Sequence, residues 1–158
     1  MQLEGSCYCG AVHFRVKAYA PVPYMRCYCS ICRKTAGGGG YAINLGAKSD
    51  TLEVEGEENI SMFHAVIDGI ESSGERRFCS KCGSALWVWD PNWPDLVHPF
   101  ASAIDTQLPE PPSSEHILLD SKASWVSPDI RPDDQQFDGY PDESLEAWHR
   151  RQGLLFGK

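Results

Sequence analysis

No segment of this sequence approaches the ~20 consecutive apolar residues that a bilayer-spanning helix requires. The amino terminus, Met-Gln-Leu-Glu-Gly-Ser, has neither the basic stretch nor the apolar run of a secretory leader, so a cytoplasmic location is expected. Positive charge is scarce: 14 Lys and Arg face 22 Asp and Glu, a formal charge of −8. A duplex binder needs a cationic face for counterion release, and an anionic membrane repels such a chain, so neither nucleic acid nor membrane is expected as a partner. Tandem repeats at solenoid periods are missing, and 158 residues leave little room beyond one domain. A chain of this size can bury roughly 68–70% of its unfolded surface, so it needs no crosslinks merely to fold.

Cysteine, by contrast, is plentiful: Cys7, Cys9, Cys27, Cys29, Cys32, Cys79 and Cys82. Seven is odd, so a complete disulfide framework leaves one thiol over. In a reducing compartment metal binding or thiol chemistry is the better explanation.

Helical periodicity is rare. Val12, Phe14 and Val16 alternate with His13, Arg15 and Lys17, the pattern of a half-buried strand. Short runs at Tyr41–Leu45, Thr51–Val54, Ile60–Val66, Arg76–Cys79, Ala85–Trp89, Leu96–Ala101 and His116–Leu119, bounded by Gly, Pro, Asn, Asp or Ser, read the same way. The expected class is all-β, mainly β, with one short C-terminal helix over Glu143–Gln152 capped by Asp142. Residues 1–128 are expected to form the zinc domain. Residues 129–158 then supply a surface strap, rich in Pro and Asp over Ser127–Pro141, and the helix.

The cysteines fall into metal-ligand spacings. Cys79-Ser-Lys-Cys82-Gly83 is a zinc-knuckle turn, in which Gly83 absorbs a positive φ and main-chain N–H groups face the sulfurs. In each Cys-x-Cys pair the side chains lie at i and i+2, on one side of an extended chain. Cys27-x-Cys29-x2-Cys32 places three ligands within six residues. The simplest partition is four plus three, with Cys7, Cys9, Cys79 and Cys82 around one Zn²⁺ and Cys27, Cys29 and Cys32 around a second. Pairing Cys29 and Cys32 with Cys79 and Cys82 is an open alternative. So is completion of the second group by His13, His64, His98 or His116, which would make both sites structural.

A four-thiolate site is closed, whereas a three-thiolate site has a free fourth position. Three anionic ligands weaken the ion as a Lewis acid toward water, so the open site suits capture of a thiol, held there as thiolate. Arg26, Arg33, Lys34, Arg76, Arg77 and Lys81 lie beside the ligands in sequence. They offset the thiolate charge, and Arg26, Arg33 and Lys34 are candidates for the carboxylates of an anionic substrate. Gly38 and Gly39, in the Gly37–Gly40 run, can admit a peptide-like backbone. The aromatic segment Trp87–Trp93 either walls a pocket or simply fills the core.

Three motifs, Gly5-Ser-Cys-Tyr-Cys-Gly-Ala-Val12, Cys27-Tyr-Cys-Ser-Ile-Cys-Arg-Lys34 and Arg77-Phe-Cys-Ser-Lys-Cys-Gly83, resemble the signatures of the glutathione-dependent formaldehyde-activating enzymes, which include the centromere protein V domains. Ser121-Lys-Ala-Ser-Trp-Val126 resembles that family's closing motif. The resemblance implies an Mss4-like zinc-binding β fold and two zinc ions per chain, with Cys7, Cys9, Cys79 and Cys82 structural and Cys27, Cys29 and Cys32 catalytic. It also implies glutathione as cosubstrate and condensation with formaldehyde to S-(hydroxymethyl)glutathione, a carbon–sulfur lyase reaction read in reverse, in a monomer or homodimer. A zinc-stabilised binding module without turnover is the alternative. Where members of the family often have His-Cys-His-Cys, this chain has Arg26-Cys27-Tyr28-Cys29, which removes two proton-transfer candidates.

Overall fold

The computed structural model describes residues 1–18 and 21–154. Its strands, in chain order, begin with β1 (Gln2–Ser6), β2 (His13–Lys17), β3 (Tyr24–Cys27), β4 (Ala42–Asn44), β5 (Ala47–Lys48) and β6 (Glu53–Glu55). They continue with β7 (Ile60–Ile67), β8 (Ile70–Cys79), β9 (Ala85–Trp89), β10 (Leu96–Pro99), β11 (Ser114–Ile117) and β12 (Gln135–Gln136). Two short α-helices, α1 (Ser30–Ala36) and α2 (Leu145–Arg151), and four single 3-10 turns accompany the strands among the described residues. The protein is therefore mostly β, as expected. Among the described residues no helix is long and apolar enough to cross a membrane.

The strands form three sheets, ordered β1-β2-β6, β5-β10-β9-β8-β7 and β12-β11-β3-β4. The first two are antiparallel, and in the third β11 runs parallel to both β3 and β12. In β2 the alternation expected from the sequence is realised, with Phe14 and Val16 buried and His13, Arg15 and Lys17 exposed. That period sets which face packs, because a one-residue slip would turn both apolar side chains to solvent.

Two cores result. The larger takes Leu3, Phe14 and Val16 from the three-stranded sheet and Leu86, Trp87 and Val97 from the five-stranded sheet. The rings of Phe14 and Trp87 meet edge to face at 5.1 Å, an arrangement worth ~0.5–1.5 kcal/mol beyond burial. Cys7 and Cys79 belong to this core. The smaller core joins Ala42, Phe100 and Ile117 to Cys27 and Cys32. Each core thus presents cysteine sulfur at its margin.

Helix α2 starts two residues later than the sequence suggested. Ser144, not Asp142, is its cap, accepting a 3.1 Å hydrogen bond from the Ala147 amide. Trp148 and His149 are its buried side chains, and the His149 ring donates from Nε2 to the Val22 carbonyl. The segment read as a strap contributes β12, which pairs in parallel with β11. Of the aromatic run, Trp87 is core, Trp89 and Trp87 line a cavity of about 600 Å³ with Arg77, and Trp93 is exposed.

Candidate metal centres

The sulfurs of Cys7, Cys9, Cys79 and Cys82 all lie within 4.8 Å of one another, and so do those of Cys27, Cys29 and Cys32. The fold therefore brings the cysteines together as four plus three, and all seven are free thiols.

The group of four is held by two turns. In the first, the Gly10 amide donates to the Cys7 carbonyl at 3.1 Å; in the second, the Gly83 amide donates to the Cys79 carbonyl at 2.8 Å. Both glycines sit at φ 78°, a left-handed conformation that costs other residues roughly 1–2 kcal/mol. The Val12 amide donates to the Cys7 sulfur at 3.3 Å, and the Tyr8 amide to Ser84 Oγ at 3.0 Å, which stitches the turns together. Sulfur separations are 3.6 Å for Cys7–Cys9 and 3.8 Å for Cys9–Cys79. Thiolates 2.3 Å from a tetrahedral ion stand about 3.8 Å apart, so the spacing fits a soft, four-coordinate metal. Hydrogen bonds from the Ser84 side chain and amide and the Cys9 amide lower the Cys82 thiol to about 5, toward the thiolate a metal needs.

The group of three is built locally. Cys27 ends β3, Cys29 caps α1 by accepting from the Cys32 amide at 3.3 Å, and Cys32 lies on the buried side of that helix. Hydrogen bonds from the Cys27 and Cys32 side chains, and from the Cys32 and Ile31 amides, hold the Cys29 thiol far below its ordinary value, while the same sharing pushes Cys27 far up. One thiolate is thus already favoured before any ion binds. Arg76 donates from Nη2 and Nη1 to the Cys32 sulfur at 3.7 and 3.9 Å, and Asn44 Nδ2 lies 4.0 Å from the same sulfur.

Among the described residues no histidine or carboxylate joins this group. His13 is exposed on β2. His64 and His98 donate from Nδ1 to the Gly74 and Leu45 carbonyls, each at 3.1 Å. His116 is bonded at both ring nitrogens: Nδ1 accepts from the Tyr28 hydroxyl at 2.7 Å and Nε2 donates to Asp134 at 2.9 Å.

The candidate substrate contacts are more dispersed. Arg26 donates to the Tyr41 hydroxyl at 3.0 Å and stacks on its ring. Arg33 and Lys34 lie in the last turn of α1. Gly38 and Gly39 are exposed with open space on the side where a Cβ would stand. Arg76, which the sequence suggested only as a compensating cation, is the arginine that reaches a sulfur. Its strand position explains this, because adjacent residues of β8 face opposite ways: Arg76 faces the smaller core, and Arg77 lines the cavity beside the larger one. Asn44 carried no sequence signal.

The profile of the family described as glutathione-dependent formaldehyde-activating enzyme matches residues 2–120. A Halomonas elongata protein provisionally named a glutathione-dependent formaldehyde-activating enzyme is 62% identical over 157 residues, 99% of this chain and 100% of its own. Among solved structures, a Rhodobacter sphaeroides protein superposes with a TM-score of 0.52 at 26% identity, covering 69% of this chain and 92% of that one.

Proposed function

Because the chain belongs to the glutathione-dependent formaldehyde-activating enzyme family, we propose that it joins glutathione, or a similar small thiol, to formaldehyde at the Cys27, Cys29 and Cys32 site. In this reading each cysteine group holds one zinc ion, and the group of four is structural. The observation that carries it is the three-sulfur group with no fourth donor among the described residues. An all-sulfur set at these separations suits zinc better than any oxygen-preferring ion. A zinc ion held there would supply the positive charge that keeps a substrate thiol ionised at neutral pH.

The chain's own residues do the rest. Cys29 is fixed by the Cys32 amide, and Cys32 by Arg76 and Asn44, so the ligands are oriented before substrate arrives. The open backbone at Gly38 and Gly39 admits the peptide part of glutathione, and Arg26, Arg33 and Lys34 attract its carboxylates. The substrate sulfur adds to the carbonyl carbon, the C=O π bond opens, the thiol proton leaves to solvent, and the oxygen takes up a proton. Free thiols at all seven cysteines suit the cytoplasm.

The test has two parts. Calorimetry should show glutathione binding to the zinc-loaded wild type and loss of that binding in Cys29→Ser. Exchange NMR should show S-(hydroxymethyl)glutathione forming faster than its uncatalysed background. Equal binding by both proteins would remove the three-cysteine site from the reading, and tight binding without acceleration would replace the enzyme with a thiol carrier.

A further inference from the structure

A sheet edge is a row of main-chain N–H and C=O groups without partners, and proteins ordinarily blunt it by shortness, charge or cover. Among the described residues every edge but one is treated so. β1 is covered: the Asp105 and Thr106 amides donate to the Glu4 carbonyl at 2.8 and 3.3 Å. β6 carries Glu53 and Glu55 in its three residues, and β5 and β12 have two residues each. β4, three residues long, is bridged at Asn44 to Phe100. The exception is β7, which bounds one side of the five-stranded sheet with eight residues, none of them Asp, Glu, Lys, Arg or Pro.

β7 and β8 also reach beyond the rest of their sheet. β9 pairs with β8 only from Glu75 onward, whereas β7 and β8 continue together to Ile67 and Ile70, where Asp68 and Gly69 turn the chain at positive φ. The far half is therefore a two-stranded arm, a form that is marginal in water when nothing packs on it. Its apolar side chains are nonetheless outside: Val66 is 64%, Ile67 49% and Ile70 73% exposed, with Met62 at 39% nearer the sheet. A register shift sets Ala65 of β7 against Ser72, Ser73 and Gly74 of β8. The extra residues lie on β8, so the outer edge of β7 stays regular.

We infer that β7 is a self-association edge: it pairs antiparallel with β7 of a second copy of this chain across a two-fold axis, joining two five-stranded sheets into one continuous sheet. The charge pattern selects this occupant. A two-fold axis perpendicular to the sheet sets each face of β7 against the same face of its copy. Any charge on the strand would therefore be met by its own like charge close by, which is destabilising. β7 carries none, in a chain whose net charge is −8. Its one histidine, His64, is tied to the Gly74 carbonyl of β8. A foreign strand would set no such condition, because a charge on β7 could be answered by its opposite. Pairing gives the outer main-chain groups of β7 their partners, and it covers Met62 and Val66 on one face and Ile67 on the other.

Analytical ultracentrifugation of the metal-loaded protein over a micromolar dilution series should give a particle of twice the 17.6 kDa chain mass. Met62→Lys/Val66→Lys alters only exposed side chains, so its circular dichroism should match wild type while its dimer dissociation constant rises at least about ten-fold. Met62→Glu/Val66→Glu should dissociate in the same way. An equimolar mixture of the two double variants should form dimers again, one chain of each kind, because opposite charges then face each other across the axis. Amide exchange along β7 should be slower in the wild-type dimer than in Met62→Lys/Val66→Lys, with β9 unchanged. A wild-type monomer throughout the series overturns the inference, as does a Met62→Lys/Val66→Lys protein that dimerises like wild type. A mixture of the two variants that stays monomeric overturns the self-pairing of β7.

Discussion

The two cysteine groups are made in opposite ways. The group of four draws on two glycine-terminated turns, with Cys9 and Cys79 70 residues apart, and its ion would crosslink the three-stranded sheet to the five-stranded one. The group of three comes from one strand end and one helix turn within six residues. Its ion would crosslink little, but it is surrounded by side chains from elsewhere: Arg76 and Asn44 on its sulfur, Phe137 and Leu118 on its core. A site that ties distant chain together can afford no vacancy, whereas a local site leaves the rest of the fold free to shape what enters it.

The largest test of this contrast is a pair of serine substitutions. Cys82 is exposed, so Cys82→Ser removes a ligand without opening the core. Structural zinc contributes about 10–16 kcal/mol in small domains, which is comparable to the whole stability of a domain at about 5–15 kcal/mol. Cys82→Ser should therefore lose the cooperative thermal transition seen by circular dichroism, while Cys29→Ser keeps it and retains one metal by elemental analysis. Equal destabilisation would mean that both groups are structural.

A smaller effect is expected from Arg76→Met, which withdraws the guanidinium from Cys32. Outer-shell partners of metal ligands are typically worth 10–100-fold in affinity or activity. Chelator competition should show that loss at one metal only, with the four-cysteine ion unmoved. Equal loosening of both would erase the distinction.

The smallest is Asp134→Asn. Against the push of burial, the His116 hydrogen bond, the Ser114 and Arg131 amides and the Arg131 charge hold the Asp134 carboxyl at about 2. A carboxyl lowered on folding stabilises the fold above its unfolded value of about 3.9 and loses that contribution as pH falls toward 2. Exchange protection at the Phe137 and Leu118 amides should thus be full above about pH 4 in wild type and decline below it. In Asp134→Asn it should be lower, by about 1–3 kcal/mol at neutral pH, and flat across that range. A wild-type profile without this decline would detach the strap from Asp134.

Sequence alone disclosed what depends on short periods and close spacings. The alternation of β2 was visible because one face is buried, and Ala85–Trp89 was bounded as observed because Gly83, Ser84, Asp90 and Pro91 frame it. The Cys79–Gly83 knuckle turn was visible in Cys-x2-Cys-Gly. Helix α1 was not, because its cap is a cysteine rather than Ser, Thr, Asp or Asn, and its buried residue is Cys32 rather than a leucine stripe. Strand β1 buries Leu3 and Gly5, but Gly5 has no apolar side chain to show, too weak a pattern to register. The Tyr28–His116–Asp134 chain joins residues 88 and 18 apart, and the parallel pairing of β3 with β11 is as long in range, a distance along the chain at which composition and spacing carry no information. Ser144 and Asp142 are equal candidates as caps by residue type, and only the packed position of Trp148 and His149 separates them.

The 70-residue span between Cys9 and Cys79 also sets a timetable for the growing polypeptide. Cys27, Cys29 and Cys32 leave the ribosome together, and loops of about 10 residues close within ~10–100 ns, so this trio can seize an ion while most of the chain is still unmade. The quartet has no such opportunity until Cys82 has been synthesised. If both groups take metal, supply during translation would reach the group of three first and the group of four last, and a nascent chain starved late would emerge with its local site filled but the link between the two sheets unmade.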